Sequence, residues 1–187
     1  KWLDVLVDKV PLFRHTFQDL RLSESVEHAR HALAIDDERL TFHPELWDMQ
    51  RADYQTIKQV WFCGMHTDVG GGYRERQLSD IPLIWMIEEA TKHGLRLHSN
   101  HGLTFDPNPD GVMHDSRGGK LTRLYRRRVR SWDSDALGKP TVHESVLMRT
   151  RNRSNTEVPP YKPWILSMEH EVDTWPESQR TADGLGE

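Results

Sequence analysis

One histidine directly follows a short apolar run, and its position suits it to proton transfer. His66 lies in the segment VWFCGMHTDVGGGY, residues 60–73. Histidine titrates near neutral pH, so its imidazole can take a proton from a nucleophile and return it to a leaving group. Asp68 lies two residues later, where a carboxylate can orient a ring or hydrogen-bond to nearby backbone. Three consecutive glycines follow and permit close backbone packing: Gly70, Gly71 and Gly72.

Spacing alone leaves other interpretations of this segment open. His66 could be a loop histidine without a chemical role, with the glycines forming only a turn. A metal site is a second alternative, with four candidate ligands: His66, Asp68, His98 and His101. These ligands lack the spacing of a strong zinc motif, so we expect neither a metal nor a cofactor. Cys63 is a third alternative, as a thiol nucleophile, although a cysteine in a buried strand is usually a small apolar residue.

Regular elements on both sides of this segment predict an α/β layered fold. The apolar run QVWFC, residues 59–63, is typical of a buried strand in a parallel sheet, and open α/β sheets place their sites at the carboxyl ends of such strands. Upstream, Ser23 is a suitable helix N-cap, and apolar residues recur at helical spacing to about Ile35. Downstream, we expect Ser79 to cap a second helix that Gly94 ends.

The composition limits the cellular compartment and the binding partners that we expect for this chain. The net charge is −4, which gives no bulk attraction to nucleic acid. The single cysteine excludes an internal disulfide. No apolar run approaches the roughly 20 residues that span a bilayer, and no signal-peptide pattern opens the sequence. We therefore expect cytoplasmic synthesis and no transmembrane segment, and later export by a route that needs no signal peptide is compatible with this sequence.

The segment around His66 resembles a known family. The patterns WFxGxHxDVGGGY, residues 61–73, and LSDIxLxWMxxEA, residues 78–90, resemble the α/β-hydrolase domain of the type VI secretion phospholipase effector-like family. Further similar blocks occur in the same order: FQDLRLS from Phe17, HALAIDDER from His31, HDSRG from His114 and VHESVLMR from Val142. The resemblance covers most of the chain to about Leu166 and departs from the family at Cys63, where proline is usual.

This resemblance implies a Ser-Asp-His triad that hydrolyses ester bonds of phospholipids or other lipids, with His66 as general base. The family's nucleophile lies in a Gly-x-Ser-x-Gly elbow upstream of the region seen here, and this chain has no such elbow. Ser116, in HDSRGG, lacks the first glycine and follows the histidine instead of preceding it. Asp4 is the expected acid, although the family's pattern places Leu3 at that position. His143 is an alternative base.

The expected fold is therefore a partial α/β-hydrolase: the C-terminal half of a mostly parallel sheet with flanking helices, followed by an irregular C-terminal extension. We assign residues 1–105 to the catalytic domain and 106–187 to the trailing segment, with a flexible tail after about Trp175. The expected partners are a lipid or ester substrate and the N-terminal half of the same domain, and peripheral membrane contact is compatible. The alternative is a non-catalytic scaffold that keeps the fold and has lost the acid.

Three further expectations concern local structure. The basic stretch Leu121–Arg130 is expected to be a solvated face. Residues 36–39, DDER, are expected to form an ion-paired helix end. Without the N-terminal half, the strand at residues 59–63 should lack a neighbour, so the isolated chain should be marginally soluble and inactive.

Overall fold

A parallel sheet of four strands organises the chain in the computed structural model, which describes residues 19–98, 102, 104–119, 124, 126–151 and 160–176. The strands are β1 His28–Ala34, β2 Thr56–Phe62, β3 Thr141–His143 and β4 Glu171–Asp173. The helices are α1 His66–Gly70, α2 Gln77–Lys92, α3 Ser134–Leu137 and α4 Glu144–Arg151. Single 3-10 turns cover Leu40–Phe42 and Trp164–Ser167. The predicted α/β class, with a parallel sheet and flanking helices, is confirmed.

The sheet order is β1-β2-β3-β4, so β2 lies inside the sheet. Its whole length pairs with β1, from His28 opposite Thr56 to Ala34 opposite Phe62, and its carboxyl half pairs with β3. The prediction of a buried strand at residues 59–63 is confirmed, with the strand beginning three residues earlier. The expectation that this strand lacks a neighbour is wrong, because the trailing segment supplies β3 on its second side.

The helix predicted from Ser23 to about Ile35 is wrong, because the chain forms strand β1 there. Ala29 and Leu33 are both buried, and a spacing of four residues places two side chains on the same side of a helix and also of a strand. Val26, the third residue of the apparent helical pattern, is 36% exposed and lies outside the core. Pairing along seven residues of β2 therefore outweighs the local helical pattern.

Helices cover the sheet on both faces, as the alternation of β2 requires. Trp61 faces one cluster of buried residues, which includes Leu33, Val142 and Ile165. Val60 and Phe62 face the opposite cluster, together with Ile81 and Trp85 of α2. Side chains buried on both faces explain why the carboxyl-terminal part of β2, Val60, Trp61 and Phe62, is a continuous apolar run and not an alternating one.

Helix α2 begins two residues before the predicted cap. Arg76 occupies the cap position, and Ser79 lies inside the helix, where its hydroxyl donates to the Arg76 carbonyl at 3.0 Å. The predicted end is close to the observed one: the helix ends at Lys92, and Gly94 turns the chain with a φ of +95°.

The basic stretch is not a uniformly solvated face, and that expectation is corrected for Arg130. Its guanidinium is buried and donates to the carbonyl oxygens of Ala34, Asp37 and Phe42. Arg127 forms an ion pair with Glu38, with Nε 2.6 Å from the carboxylate. The stretch therefore holds the chain that follows β1. The predicted flexible tail, residues 177–187, lies outside the described residues.

A buried carboxylate joins α2 to the amino-terminal ends of the two long strands. Glu89 of α2 is 2% exposed and binds three cations: Arg30 on β1, Lys58 on β2 and Lys92 on its own helix. Burial raises the pKa of Glu89, but hydrogen bonds from Lys92, Lys58 and Arg30 outweigh burial and lower the pKa from 4.5 to about 2. The charged form of Glu89 therefore stabilises the contact between helix and sheet.

We predict that this carboxylate makes stability depend on pH. A lowered folded-state pKa contributes stability above the unfolded pKa of 4.5, and the contribution is lost as pH falls toward 2. Glu89→Gln should therefore be less stable than wild type at pH 6, by about 3 kcal/mol, because three cations lose their buried partner. Urea unfolding at pH 6, 4 and 3 should show the difference shrinking as pH falls. A pH-independent difference would contradict the assignment.

Candidate functional site

His66 lies four residues beyond the end of β2, at the carboxyl edge of the sheet, as predicted. Its side chain is exposed, and its ring meets the Phe42 ring edge-on, with centroids 5.4 Å apart. His66 does not lie in a loop, because it is the first residue of the five-residue helix α1. We refer to residues 64–72 as the His66 segment.

Three carboxylates bind three consecutive main-chain N–H groups of the His66 segment. Gly64 donates to Asp36 at 2.7 Å. Met65 donates to Asp68 at 3.0 Å. His66 donates to Asp37 at 3.3 Å. The backbone just before the imidazole is therefore fixed from two directions, by the residues that follow β1 and by α1 itself.

Two of these carboxylates extend directly from the end of β1, so the expected ion-paired helix end is an ion-paired strand end. Burial raises the pKa of Asp36, and hydrogen bonds from the Tyr161 hydroxyl and the Gly64 N–H oppose this rise. Burial also acts to raise the pKa of Asp37, but hydrogen bonds from the Arg39 side chain and backbone outweigh burial and lower it. Asp37 is fully buried and charged, with Arg39 as its partner.

Asp68 does not orient the His66 ring, which corrects one of its two expected roles. Its carboxylate is buried and accepts from the Met65 N–H, from the His114 N–H and from the His114 ring. Its hydrogen bond from the Met65 N–H is the other kind of contact considered for it. His114 was not predicted as part of the site, and its HDSRG context carries no spacing signal that links it to Asp68.

Glycines in the His66 segment meet different steric demands. Gly64 has a φ of +100°, and a Cβ there would lie 2.5 Å from the Asp68 Cβ. Gly71 and Gly72 also have positive φ, at +84° and +118°. Gly70 has neither constraint, because it ends helix α1 and a Cβ there would meet nothing within 4 Å. Gly64 is therefore the position where close approach requires glycine.

An open cleft of about 550 Å³ lies beside His66. Its walls come from the carboxyl half of β1, from the chain at residues 41–44 and from α2, where Pro82, Leu83 and Met86 contribute. Most of this lining is apolar, and Leu83 is 44% exposed. Arg130 also lines the cleft, with its guanidinium bound to backbone carbonyls. The cleft suits an extended apolar ligand that ends near an imidazole.

The expected triad acid, Asp4, lies outside the described residues. Within the described part of the chain, the His66 ring forms no hydrogen bond with a carboxylate, and its ring contact is with Phe42. Asp37 is adjacent, but its contact is with the His66 main chain and its oxygens are bound by Arg39. The identity of the acid therefore stays a prediction.

His143 is poorly placed to act as the alternative base. It is 1% exposed and stacks on Phe62, with ring centroids 4.8 Å apart. Its Nδ1 lies 2.8 Å from the Ser145 hydroxyl and accepts from the Ser145 N–H. A ring enclosed in this way cannot reach a substrate in the cleft. Of these two histidines, only His66 is exposed and lines the cleft.

The remaining alternatives receive little support from the geometry. Cys63 is buried, and burial raises the pKa of its thiol to about 12, so the thiolate needed for attack is rare at neutral pH. The described residues contain no group of three potential metal ligands, and His101 lies outside them. Ser116 is buried and accepts from the Glu38 N–H, which agrees with its exclusion as nucleophile.

Comparison with known proteins found similarity to one family. Residues 4–89 match the model of the family described as T6SS, Phospholipase effector Tle1-like, catalytic domain. The match covers the His66 segment and helix α2 as far as Glu89, and over these residues it confirms the resemblance seen in the sequence. Neither the curated proteins nor the solved structures gave a match. Among the described residues, no helix is both long and apolar enough to cross a membrane.

We predict that Gly64→Ala disrupts the His66 segment whereas Gly70→Ala does not. The new Cβ at position 64 would overlap Asp68, and alanine would have to adopt a positive φ. The free energy of unfolding should therefore fall by about 2 kcal/mol or more. A Cβ at position 70 would contact nothing within 4 Å, and Gly70 ends a helix. Gly70→Ala should therefore change the free energy of unfolding by no more than about 0.5 kcal/mol. Thermal and urea unfolding measure both. Equal effects would show that the segment adapts freely.

We also predict that Cys63 resists alkylation. In the native protein at pH 8, iodoacetamide should react with it far more slowly than with a free thiol, because burial raises its pKa to about 12 and blocks access. Mass spectrometry should show rapid reaction after unfolding in urea, which serves as the control. Fast native alkylation would reopen the thiol-nucleophile alternative.

Proposed function

We propose that this chain contributes the general base of a serine hydrolase that cleaves ester bonds of phospholipids or other lipids. The match to a phospholipase effector catalytic domain supports lipase chemistry in general. The observation that carries the specific role is the placement of His66, an exposed imidazole at the carboxyl edge of the sheet, fixed through its own main chain and facing an apolar cleft.

The reaction would divide between this chain and an elbow serine outside it. The serine hydroxyl attacks the ester carbonyl while His66 takes its proton, and His66 then protonates the leaving alcohol. A water molecule, activated by the same imidazole, releases the acyl group from the serine. An acid would hold the imidazolium in place, and we assign this role to Asp4.

The cleft supports a substrate with an apolar chain. A lipid acyl chain lying along Leu83 and Met86 would bring its ester group toward the edge occupied by His66. Burial of apolar surface would supply binding energy at about 25 cal/mol per Å². The same geometry gives no reason to expect selection among headgroups, since the described cleft lining offers a single cation, Arg130, already bound to carbonyl oxygens.

Domain organisation and location follow the same proposal. Residues 1–105 would complete a catalytic domain with an N-terminal half, and residues 106–187 would form the trailing segment, which adds β3 and β4 to the sheet. The family description as an effector of a secretion system supports export after cytoplasmic synthesis. Peripheral membrane contact during catalysis is compatible with the open cleft.

One observation favours the alternative of a non-catalytic scaffold. In the sequence, Leu3 lies where the family's pattern has the acid and Asp4 is one residue late, whereas a triad needs a carboxylate there to fix the imidazole tautomer. A protein that had lost its acid would keep the sheet, the cleft and the anchored segment, and would bind lipid without hydrolysing it.

The test is hydrolysis by the full-length protein. His66→Ala should lower kcat for a short-chain ester and for phospholipid by about 1,000-fold or more, as loss of a triad member does. His93→Ala is the control, because His93 follows α2 and stacks on His28 at the amino-terminal end of β1, away from the cleft. Its rate should match wild type.

Two results would contradict the proposal. If His66→Ala retains the wild-type rate, His66 is not the base. If the wild-type protein binds lipid vesicles and releases no fatty acid, the scaffold alternative holds.

A further inference from the structure

His114 forms an imidazole–carboxylate pair with Asp68 of the His66 segment. The His114 Nδ1 lies 2.6 Å from Asp68 Oδ1, and the His114 main-chain N–H donates to Oδ2 at 3.0 Å. The same Oδ2 accepts from the Met65 N–H at 3.0 Å. One carboxylate therefore ties residue 114 to the residue that precedes His66. The Asp68 side chain is 1% exposed, so its oxygens need these donors in place of water.

The other faces of the His114 ring are also occupied. Tyr73 stacks on it, with centroids 3.7 Å apart and planes inclined by 17°. The Glu75 carboxylate lies 3.9 Å from Nε2. The Tyr73 hydroxyl lies 3.6 Å from the Met65 sulfur, so Tyr73 contacts both the His114 ring and the His66 segment. With the ring held on three sides, Nδ1 is directed at Asp68 as a donor.

The loop that carries His114 is anchored independently of the His66 segment. Arg149 of α4 donates to the carbonyl oxygens of Pro109 and Gly111. Beyond His114, the Glu38 N–H donates to the Ser116 hydroxyl. These contacts attach the loop to the helix after β3 and to the chain after β1. His114 is therefore fixed relative to the sheet, and its hydrogen bond fixes Asp68 relative to the sheet as well.

We propose that His114 is a positioning residue for His66. Its Nδ1–H fixes the Asp68 carboxylate, Asp68 fixes the Met65 N–H, and this fixed N–H determines where the next residue directs its imidazole. The inference rests on the proposed role of His66 as base. His114 is not part of the lining of the cleft, so it acts through Asp68 and not on the substrate.

Two amide substitutions separate this role from simple packing. His114→Asn places an N–H donor where Nδ1 now lies and should keep the bond to Asp68. His114→Gln places its donor nearer the position of Nε2, toward Glu75, and should lose that bond. The two variants have the same functional group and similar polarity, so a difference between them reports the location of the donor.

Two measurements on the full-length protein test the proposal. In His114→Gln, hydrogen exchange of the Met65 amide should accelerate at least tenfold, while exchange in strand β2 stays as in wild type. In the same variant, kcat for ester hydrolysis should fall by about 100-fold, the cost of a misplacement of about 1 Å, with KM within about twofold. His114→Asn should resemble wild type in both measurements.

The outcomes are distinguishable from those for the proposed function. Equal Met65 exchange in the Asn and Gln variants would overturn the positioning role. Wild-type kcat in His114→Gln, in a protein that loses activity with His66→Ala, would overturn it as well. If wild type shows no hydrolysis, the proposed function fails, and the exchange measurement alone decides whether His114 holds the segment.

Discussion

The binding of three successive amides by three carboxylates, two of them buried, is the interaction on which the arrangement around His66 depends. Gly64, Met65 and His66 lie where β2 has ended and α1 has begun, so their N–H groups have no partners within the sheet. Aspartates satisfy them because a short carboxylate accepts from several donors without needing a regular element. The result is a rigid backbone that carries an exposed side chain, which is what a proton-transfer group requires.

Three carboxylates in one buried region would repel each other, and arginines offset the repulsion. Arg39 pairs with Asp37 directly, while Arg130 lies near both Asp36 and Asp37 and donates to the carbonyl of Asp37. Burial lowers the pKa of Arg130, and the nearby aspartates oppose that change. The basic stretch thus supplies positive charge beside the acidic residues that follow β1. It stabilises the edge of the sheet from a distance of about 90 residues along the chain.

Local patterns predicted the elements next to His66 and failed where long-range contacts decide. The apolar run at residues 59–63 and the helix before Gly94 were correctly predicted, because each has a periodicity or a stop signal of its own. Strand β1 was missed, since Ala29 and Leu33 satisfy both periodicities and only pairing with β2 selects the strand. Asp36, Asp37 and His114 were missed as site residues because their partners are 28 or more residues away.

The sheet order also has a consequence for synthesis on the ribosome. Strand β2 ends at Phe62, while its second neighbour, β3, begins at Thr141, about 80 residues later. At typical elongation rates the nascent chain carries a half-paired β2 for roughly 4 to 16 seconds before β3 is made. During that interval Val60 and Trp61, which pair with β3 in the finished sheet, are open to contact with other chains. The protein therefore depends on its C-terminal third, or on a chaperone, to protect its central strand.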